Sequence, residues 1–243
     1  MQISHPGPTG ASTTEPRTAI LLGASGLVGT ECLSQLCASP LYPRVLVVTR
    51  RDLGASVAHD KIEQIVVDFD RLEEWSDVLV GDDVFCAFGS TIKKAGSKER
   101  FQQIDFTYPS TFARLVRRNG AEHFSLVSSI GAKARSRTFY LRVKGELEDA
   151  IVDQDWPSVT ILRPSVIGGE RSESRFAERL GQRLFRHAPA SFRTVEATDI
   201  ARAMLELARQ RRNGVQVVES RDIKDRGRRL IRTLYREAGR SGD

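Results

Sequence analysis

Short apolar runs alternate along the chain with longer stretches in which apolar residues recur three or four positions apart. The runs include Ala19-Ile20-Leu21-Leu22, Val45-Leu46-Val47-Val48, Ile65-Val66-Val67, Val84-Phe85-Cys86-Ala87-Phe88, Phe124-Ser125-Leu126-Val127 and Val159-Thr160-Ile161-Leu162. Uninterrupted apolar runs of this length, closed by turn signals, predict strands buried on both faces of a parallel sheet. Strands are expected to begin at Thr18 and to span Arg44–Thr49, Ile62–Asp68, Asp83–Gly89, His123–Ser129, Trp156–Arg163 and Gly214–Glu219. Between them the period of 3.6 predicts helices: Thr30–Leu36, a short one through Leu72 and Trp75, a long one over Lys98–Arg118 bent at Pro109, one from Tyr140 through Ile151, and one running from a Thr198 cap to about Arg209. Strands and helices in alternation define an α/β fold, a doubly wound, mostly parallel sheet with helices on both faces.

The punctuation locates the first chemistry. Directly after the first strand come Gly23, Gly26 and Gly29, spaced G-x-x-G-x-x-G and running into a helix. Gly23 suits a tight turn, Gly26 the close approach of a pyrophosphate, and Gly29 the packing of helix on strand, while the helix N-terminus offers unpaired N–H groups to an anion. Three glycines also occur in ordinary turns, but the strand before and the helix after favour a nucleotide. The second strand ends in Arg50-Arg51, where such a sheet meets the adenosine ribose and where guanidiniums grip the 2′-phosphate of NADP(H). NADP(H) is therefore expected over NAD(H). The neighbouring Asp52 is the competing feature, since a carboxylate there suits a free 2′-hydroxyl. Asp68, closing the third strand, either bonds the adenine amine or caps the next turn, and Gly89, beyond Phe88 at the tip of the fourth, lets the chain pass close to the ribose.

Composition narrows the field. The chain has 243 residues, enough for one domain with a two-sided core. We expect a flexible tail over 1–16, a nucleotide-binding domain over 17–221 with a substrate-side insert near 168–195, and a basic helix over 222–243 carrying Leu230, Ile231, Leu234 and Tyr235. No apolar run is long enough to span a bilayer and no signal segment is evident, so a soluble cytoplasmic protein is expected. Three cysteines and four scattered histidines form no ligand pattern, and neither a metal site nor a disulfide framework is predicted. A net charge of +6 invites nucleic acid. The excess cations are interleaved with acids, however, and no nucleic-acid-binding motif accompanies them. The expected partner is a small-molecule substrate, on a monomer or homodimer.

The second chemical feature lies past the fifth strand, which ends in Ser128-Ser129. Tyr140 and Lys144, four apart, share one face of the following helix. An ammonium beside a phenol favours the phenolate and suits the tyrosine to proton transfer near neutral pH, while a serine hydroxyl from the strand tip can orient a reacting oxygen. Tyr and Lys at this spacing also occur as ordinary surface pairs. It is their position after a glycine-rich turn and a serine-tipped strand that points to catalysis.

Taken together, Gly23-Ala24-Ser25-Gly26-Leu27-Val28-Gly29, Arg50-Arg51, Lys94-Ala95-Gly96, Ser128-Ser129, Tyr140-Leu141-Arg142-Val143-Lys144, Leu162-Arg163-Pro164-Ser165 and Glu173-Ser174-Arg175 resemble the atypical and extended short-chain dehydrogenase/reductases. Within these Rossmann-type proteins, the similarity is to the Tat-interacting-protein-like oxidoreductase branch, from about Thr18 to Arg221. The resemblance implies that Ser25, Gly26, Leu27 and Val28 line the pyrophosphate turn, that Arg50 and Arg51 meet the 2′-phosphate, and that Phe88 and Gly89 pass the ribose. It further implies that Tyr140 and Lys144 hold the nicotinamide ribose and catalyse, and that Ile167 and Arg175 reach the cofactor's far end. Ser129 matches the family's catalytic hydroxyl, with Ser128 as the alternative. Ser165 stands where glycine is common. The implied activity is NADP(H)-dependent hydride transfer to or from a carbonyl or alcohol; a nucleotide-binding regulator with little turnover and a nucleotide-sugar epimerase or dehydratase are the alternatives.

Overall fold

The computed structural model describes residues 15–168 and 194–223. The expected N-terminal tail, most of the insert near 168–195 and the C-terminal basic helix therefore lie largely outside the described residues. Seven parallel strands form the central sheet: β1 (Thr18–Leu22), β2 (Arg44–Thr49), β3 (Ile62–Val66), β4 (Asp83–Cys86), β5 (His123–Val127), β6 (Ser158–Arg163) and, at the far edge, Gly214–Glu219. They lie side by side in the order β3-β2-β1-β4-β5-β6 followed by that last strand. The direction of winding reverses between β1 and β4. In open α/β sheets this opens a crevice at the carboxyl ends of the strands.

Both faces of the central strands are covered, which is why those strands lack simple polar alternation. On one face, Leu21, Val45, Val47 and Phe85 pack with Leu33 and Leu36 of α1 (Leu27–Ala38) and with Ile200 and Met204 of the helix Ala197–Gln210. On the other, Ile20, Leu46, Val48 and Val84 pack with Phe112 and Val116 and with Leu147 and Ile151. Alternate residues of β1 thus enter different cores. A second pairing, β7 (Ile167–Gly168) with β8 (Val195–Glu196), forms a two-stranded parallel ribbon that the hydrophobic pattern did not disclose.

β3, β4 and β5 end two or three residues earlier than expected, and three further elements differ in kind, continuity or cap. The segment through Leu72 and Trp75 is a 3-10 helix, Phe69–Val78. The long helix over Lys98–Arg118 is divided: α2 (Ile92–Ala95) precedes α3 (Lys98–Gln102), a π turn over Gln103–Thr107, and α4 (Tyr108–Arg118). Pro109 has no N–H to return to the carbonyl four residues back, so the ladder opens one residue before it, and the bend becomes a π turn centred on Asp105. Thr198 does not cap the helix Ala197–Gln210, hereafter α6. Glu196 is its N-cap residue, and the Thr198 hydroxyl donates instead to Glu31 of α1 at 3.0 Å. The helix bearing Tyr140 is α5 (Phe139–Val152), and the edge strand Gly214–Glu219 is β9.

Candidate functional site

The crevice opens where the winding reverses and encloses about 870 Å³, at the upper end of the range for small-molecule sites. Its floor is the glycine turn. Gly23 has φ +93° and no room for a side chain, since a Cβ would stand 2.6 Å from the Ala87 carbonyl oxygen. A Cβ on Gly29 would meet the Gly23 oxygen at 2.0 Å, so the first turn of α1 lies directly against the end of β1. The helix ladder begins with Thr30 N donating to Gly26 O at 2.9 Å. The N–H groups of Leu27, Val28 and Gly29 therefore have no acceptor within the helix. The N-cap residue Gly26 supplies no side-chain cap, and no acid lies in the first turn. A glycine turn followed by N–H groups without acceptors in the helix fits a pyrophosphate. Ser25, Gly26 and Leu27 line the crevice, whereas the Val28 side chain turns into the core.

The adenosine end is built by β2 and β3. Arg50 and Arg51 are exposed and line the crevice together with Val67, Asp68 and Phe69. The Asp52 carboxylate makes an Asx turn: its Oδ1 accepts from Gly54 N at 2.8 Å and from Gln64 Nε2 at 2.7 Å. These bonds hold its carboxyl below the usual carboxylate range, the Gly54 N–H most of all. Asp68 Oδ1 accepts from Asp70 N at 2.9 Å, which is the capping role of the two anticipated for it. Phe88 stacks on Phe69, ring centroids 5.1 Å apart, and closes the slot from the β4 side.

At the other end, Gly89 joins the crevice to the residues expected to carry chemistry. A Cβ there would lie 2.9 Å from Asp105 Oδ1 and 3.1 Å from Lys144 Nζ, so a buried ion pair sits directly beneath the crevice wall. Lys144 Nζ and Asp105 Oδ1 are 2.8 Å apart, and Asp105 Oδ2 accepts from Ser90 N at 2.8 Å. Burial lifts the Asp105 carboxyl above its ordinary range against the pull of Lys144. Burial also works to lower Lys144, but Asp105 and Tyr140 outweigh it and hold the ammonium above the usual lysine range. One turn earlier on α5, Tyr140 is half-buried with its ring 5.6 Å from that of Phe101.

The paired serines part company. Ser128 is buried and donates to Glu148, whose carboxylate also binds Arg163 at 2.6 Å. Ser129 is half-exposed, and its hydroxyl meets only the neighbouring Ile130 carbonyl at 3.5 Å. Ser165 is tied to Ser220, hydroxyl to hydroxyl at 2.8 Å, so its side chain serves the loop after β6. Ile167 lies in β7, and neither it nor Tyr140, Lys144, Ser128 or Ser129 is among the residues that line the crevice. Arg175 lies outside the described residues.

Asp105, Glu148 and Gln64 were not anticipated. Asp105 had a signal: it continues the apolar stripe Phe101, Tyr108, Phe112, where an acid needs a partner. Glu148 likewise follows Tyr140 and Lys144 at four-residue steps. Gln64 had none, because an amide on an edge strand is unremarkable in sequence. All three cysteines are free, with burial pushing the Cys86 thiol up to about 11, and among the described residues no cluster suited to a metal ion occurs.

A parallel sheet wound in opposite senses about β1, with a glycine turn at the switch, is a Rossmann-type α/β fold. Residues 23–211 match the family described as NAD(P)H-binding, and the chain belongs to that family. Among its relatives is protein HTATIP2 of Rattus norvegicus, 35% identical over 194 residues that cover 78% of this chain and 80% of the relative. Another is the mitochondrial protein FMP52 of Candida albicans, 31% identical over 208 residues, 81% of this chain and 90% of that one. In fold it resembles MoeE5, solved in complex with UDP-glucose and NAD, with a TM-score of 0.65 and 18% identity over 83% of this chain and 75% of the other. Among the described residues no helix is long and apolar enough to cross a membrane.

Proposed function

We propose that the protein is an NADP(H)-dependent oxidoreductase of the short-chain type, acting on a carbonyl or alcohol. The nucleotide, when bound, supplies or accepts the hydride. The chain's own part begins with binding: the N–H groups at the start of α1 receive the pyrophosphate, and Arg50 and Arg51 the 2′-phosphate. Tyr140 then gives a proton to the substrate oxygen or takes one from it. Lys144, held in place by Asp105, keeps a positive charge beside the phenol. Ser129, with its hydroxyl uncommitted to any other side chain, orients the substrate oxygen, whereas Ser128 is engaged by Glu148.

The observation that carries this reading is the placement of Lys144 Nζ against Gly89, at the edge of a crevice whose other end presents two exposed guanidiniums. Calorimetric titration with NADPH and NADH, followed by an absorbance assay at about 340 nm against pooled aldehydes, ketones and nucleotide sugars, tests it. Tight NADPH binding with turnover of a carbonyl supports the proposal. Binding without turnover moves the protein to the regulatory class, and equal affinity for the two nucleotides removes the role given to Arg50 and Arg51. Cytoplasmic placement belongs to the same proposal and is checked by cell fractionation, the fungal relative being named as mitochondrial.

A further inference from the structure

The loop that follows β2 carries both answers to the question of which nucleotide to bind, two guanidiniums and a carboxylate, within three consecutive residues. Only one answer faces the crevice: Arg50, Arg51 and Leu53 line it, and Asp52 does not. The side chain responsible belongs to the neighbouring strand. Gln64 of β3 stands beside Val47 of β2 in the sheet register, and its amide spans the gap to the loop in both directions. Nε2 donates to Asp52 Oδ1 at 2.7 Å, while Oε1 accepts from Leu53 N at 3.1 Å. Gly54 N adds a third bond to the same cluster at 2.8 Å, and Thr49 Oγ1, donating to Arg51 O at 2.8 Å, fixes the chain on the other side of Asp52.

We propose that Gln64 is a specificity-determining residue, holding the Asp52 carboxylate away from the adenosine ribose so that the loop offers only Arg50 and Arg51 at that position. The inference rests on the NADP(H) reading above and deepens it. A carboxylate facing a 2′-phosphate repels it, whereas one facing a free 2′-hydroxyl accepts its hydrogen bond. The loop's preference therefore depends on where this carboxylate points. Gln64 suits the task because a single amide both donates to the acid and accepts from the backbone of the next residue. It thereby fixes the side chain and the loop together.

The test is calorimetric, with NADPH and NADH titrated separately into the wild type, Gln64→Leu and Gln64→Leu/Asp52→Ala. In Gln64→Leu, which keeps the bulk and loses both bonds, the ratio of the NADH to the NADPH dissociation constant is expected to fall about fivefold, the effect of one net hydrogen bond. Removing the freed carboxylate in the double variant is expected to return the ratio to within about twofold of wild type. Gln64→Glu, which sets a second carboxylate against Asp52, is expected to lower the ratio as well and serves should the leucine variant fold poorly. A wild-type ratio retained in both single variants overturns the proposal, as does a lowered ratio that the double variant fails to restore. A wild type without nucleotide preference overturns the NADP(H) reading itself and is seen before any variant is made.

Discussion

At the amino end of β4, Asp83 receives four hydrogen bonds: from Arg211 Nε at 3.1 Å and Nη2 at 2.8 Å, from Arg17 Nη1 at 3.2 Å and from the Tyr42 hydroxyl at 2.8 Å. Just past the carboxyl end of the same strand, Asp105 has one ammonium and one backbone N–H. Both carboxylates are fully buried. The first is saturated by donors from β1's entry, the loop before β2 and the end of α6, so it ties those elements together and has nothing left to offer a ligand. The second lies under a glycine wall beside an open crevice, paired with a lysine that itself adjoins Tyr140. Complete compensation of buried charge marks a joint in the scaffold, and spare valence beside a cavity marks a place for chemistry.

The largest expected effect is at the crevice end. Tyr140→Phe should lower turnover by about 10²- to 10⁴-fold, the usual contribution of a positioned acid/base, while the NADPH dissociation constant measured by calorimetry stays within about threefold. Full activity in this variant would remove Tyr140 from the mechanism. Next come the two carboxylates. Asp83→Ala and Asp105→Ala each strand a buried cation, and each should cost about 3–5 kcal/mol in denaturant unfolding. Only Asp105→Ala should also weaken nucleotide binding under conditions where the protein remains folded. If both variants weaken it alike, the contrast between the two ends fails.

The scaffold end has a pH signature of its own. His123, beside Asp83 in the register and sharing a 2.8 Å hydrogen bond with Ser158, is held by burial at about 4 against an ordinary 6.5. The unfolded chain therefore takes up this proton first as pH falls. The stabilising contribution is complete above pH 6.5 and is lost between there and about pH 4, to the extent of about 3 kcal/mol. Unfolding midpoints for the wild type and His123→Gln should converge across that window; parallel curves would contradict the assignment. The smallest effect returns to the crevice: Arg50→Ala/Arg51→Ala should weaken NADPH about tenfold or somewhat more and NADH by no more than about twofold, read from paired binding curves.

How far these contrasts were readable beforehand differs from residue to residue. Arg44–Thr49 has the bounds that its apolar run suggested, because a strand buried on both faces declares itself in composition alone, and the edge strand Gly214–Glu219, though Val215 and Val217 stay exposed, also has the expected bounds. Gly23 and Gly29 were legible for a similar reason: a turn and a close approach are local demands that only glycine meets. Tyr140 and Lys144 could be put on one helical face by counting. The choice between Ser128 and Ser129 could not be made that way, since it depends on Glu148 reaching across from α5 to engage Ser128. Nor could counting foresee the π turn, where the missing N–H of Pro109 was visible but the way the helix would absorb it was not.

What the chain by itself determined, then, is whatever is decided within one turn of helix or one strand: the sheet's layers, the glycine turn after β1, the spacing of phenol and ammonium, the pair of guanidiniums after β2. What only the tertiary structure decided is which distant groups share a charge. Asp105 meets Lys144 because α5 packs against the π turn, and Asp52 is turned aside because β3 lies next to β2 and brings Gln64 to it. Local geometry follows from backbone sterics and periodicity, which the sequence states outright. The pairing of buried and half-buried polar groups follows from the order in which strands assemble, and a difference of one strand position would give each of these carboxylates another neighbour and another task.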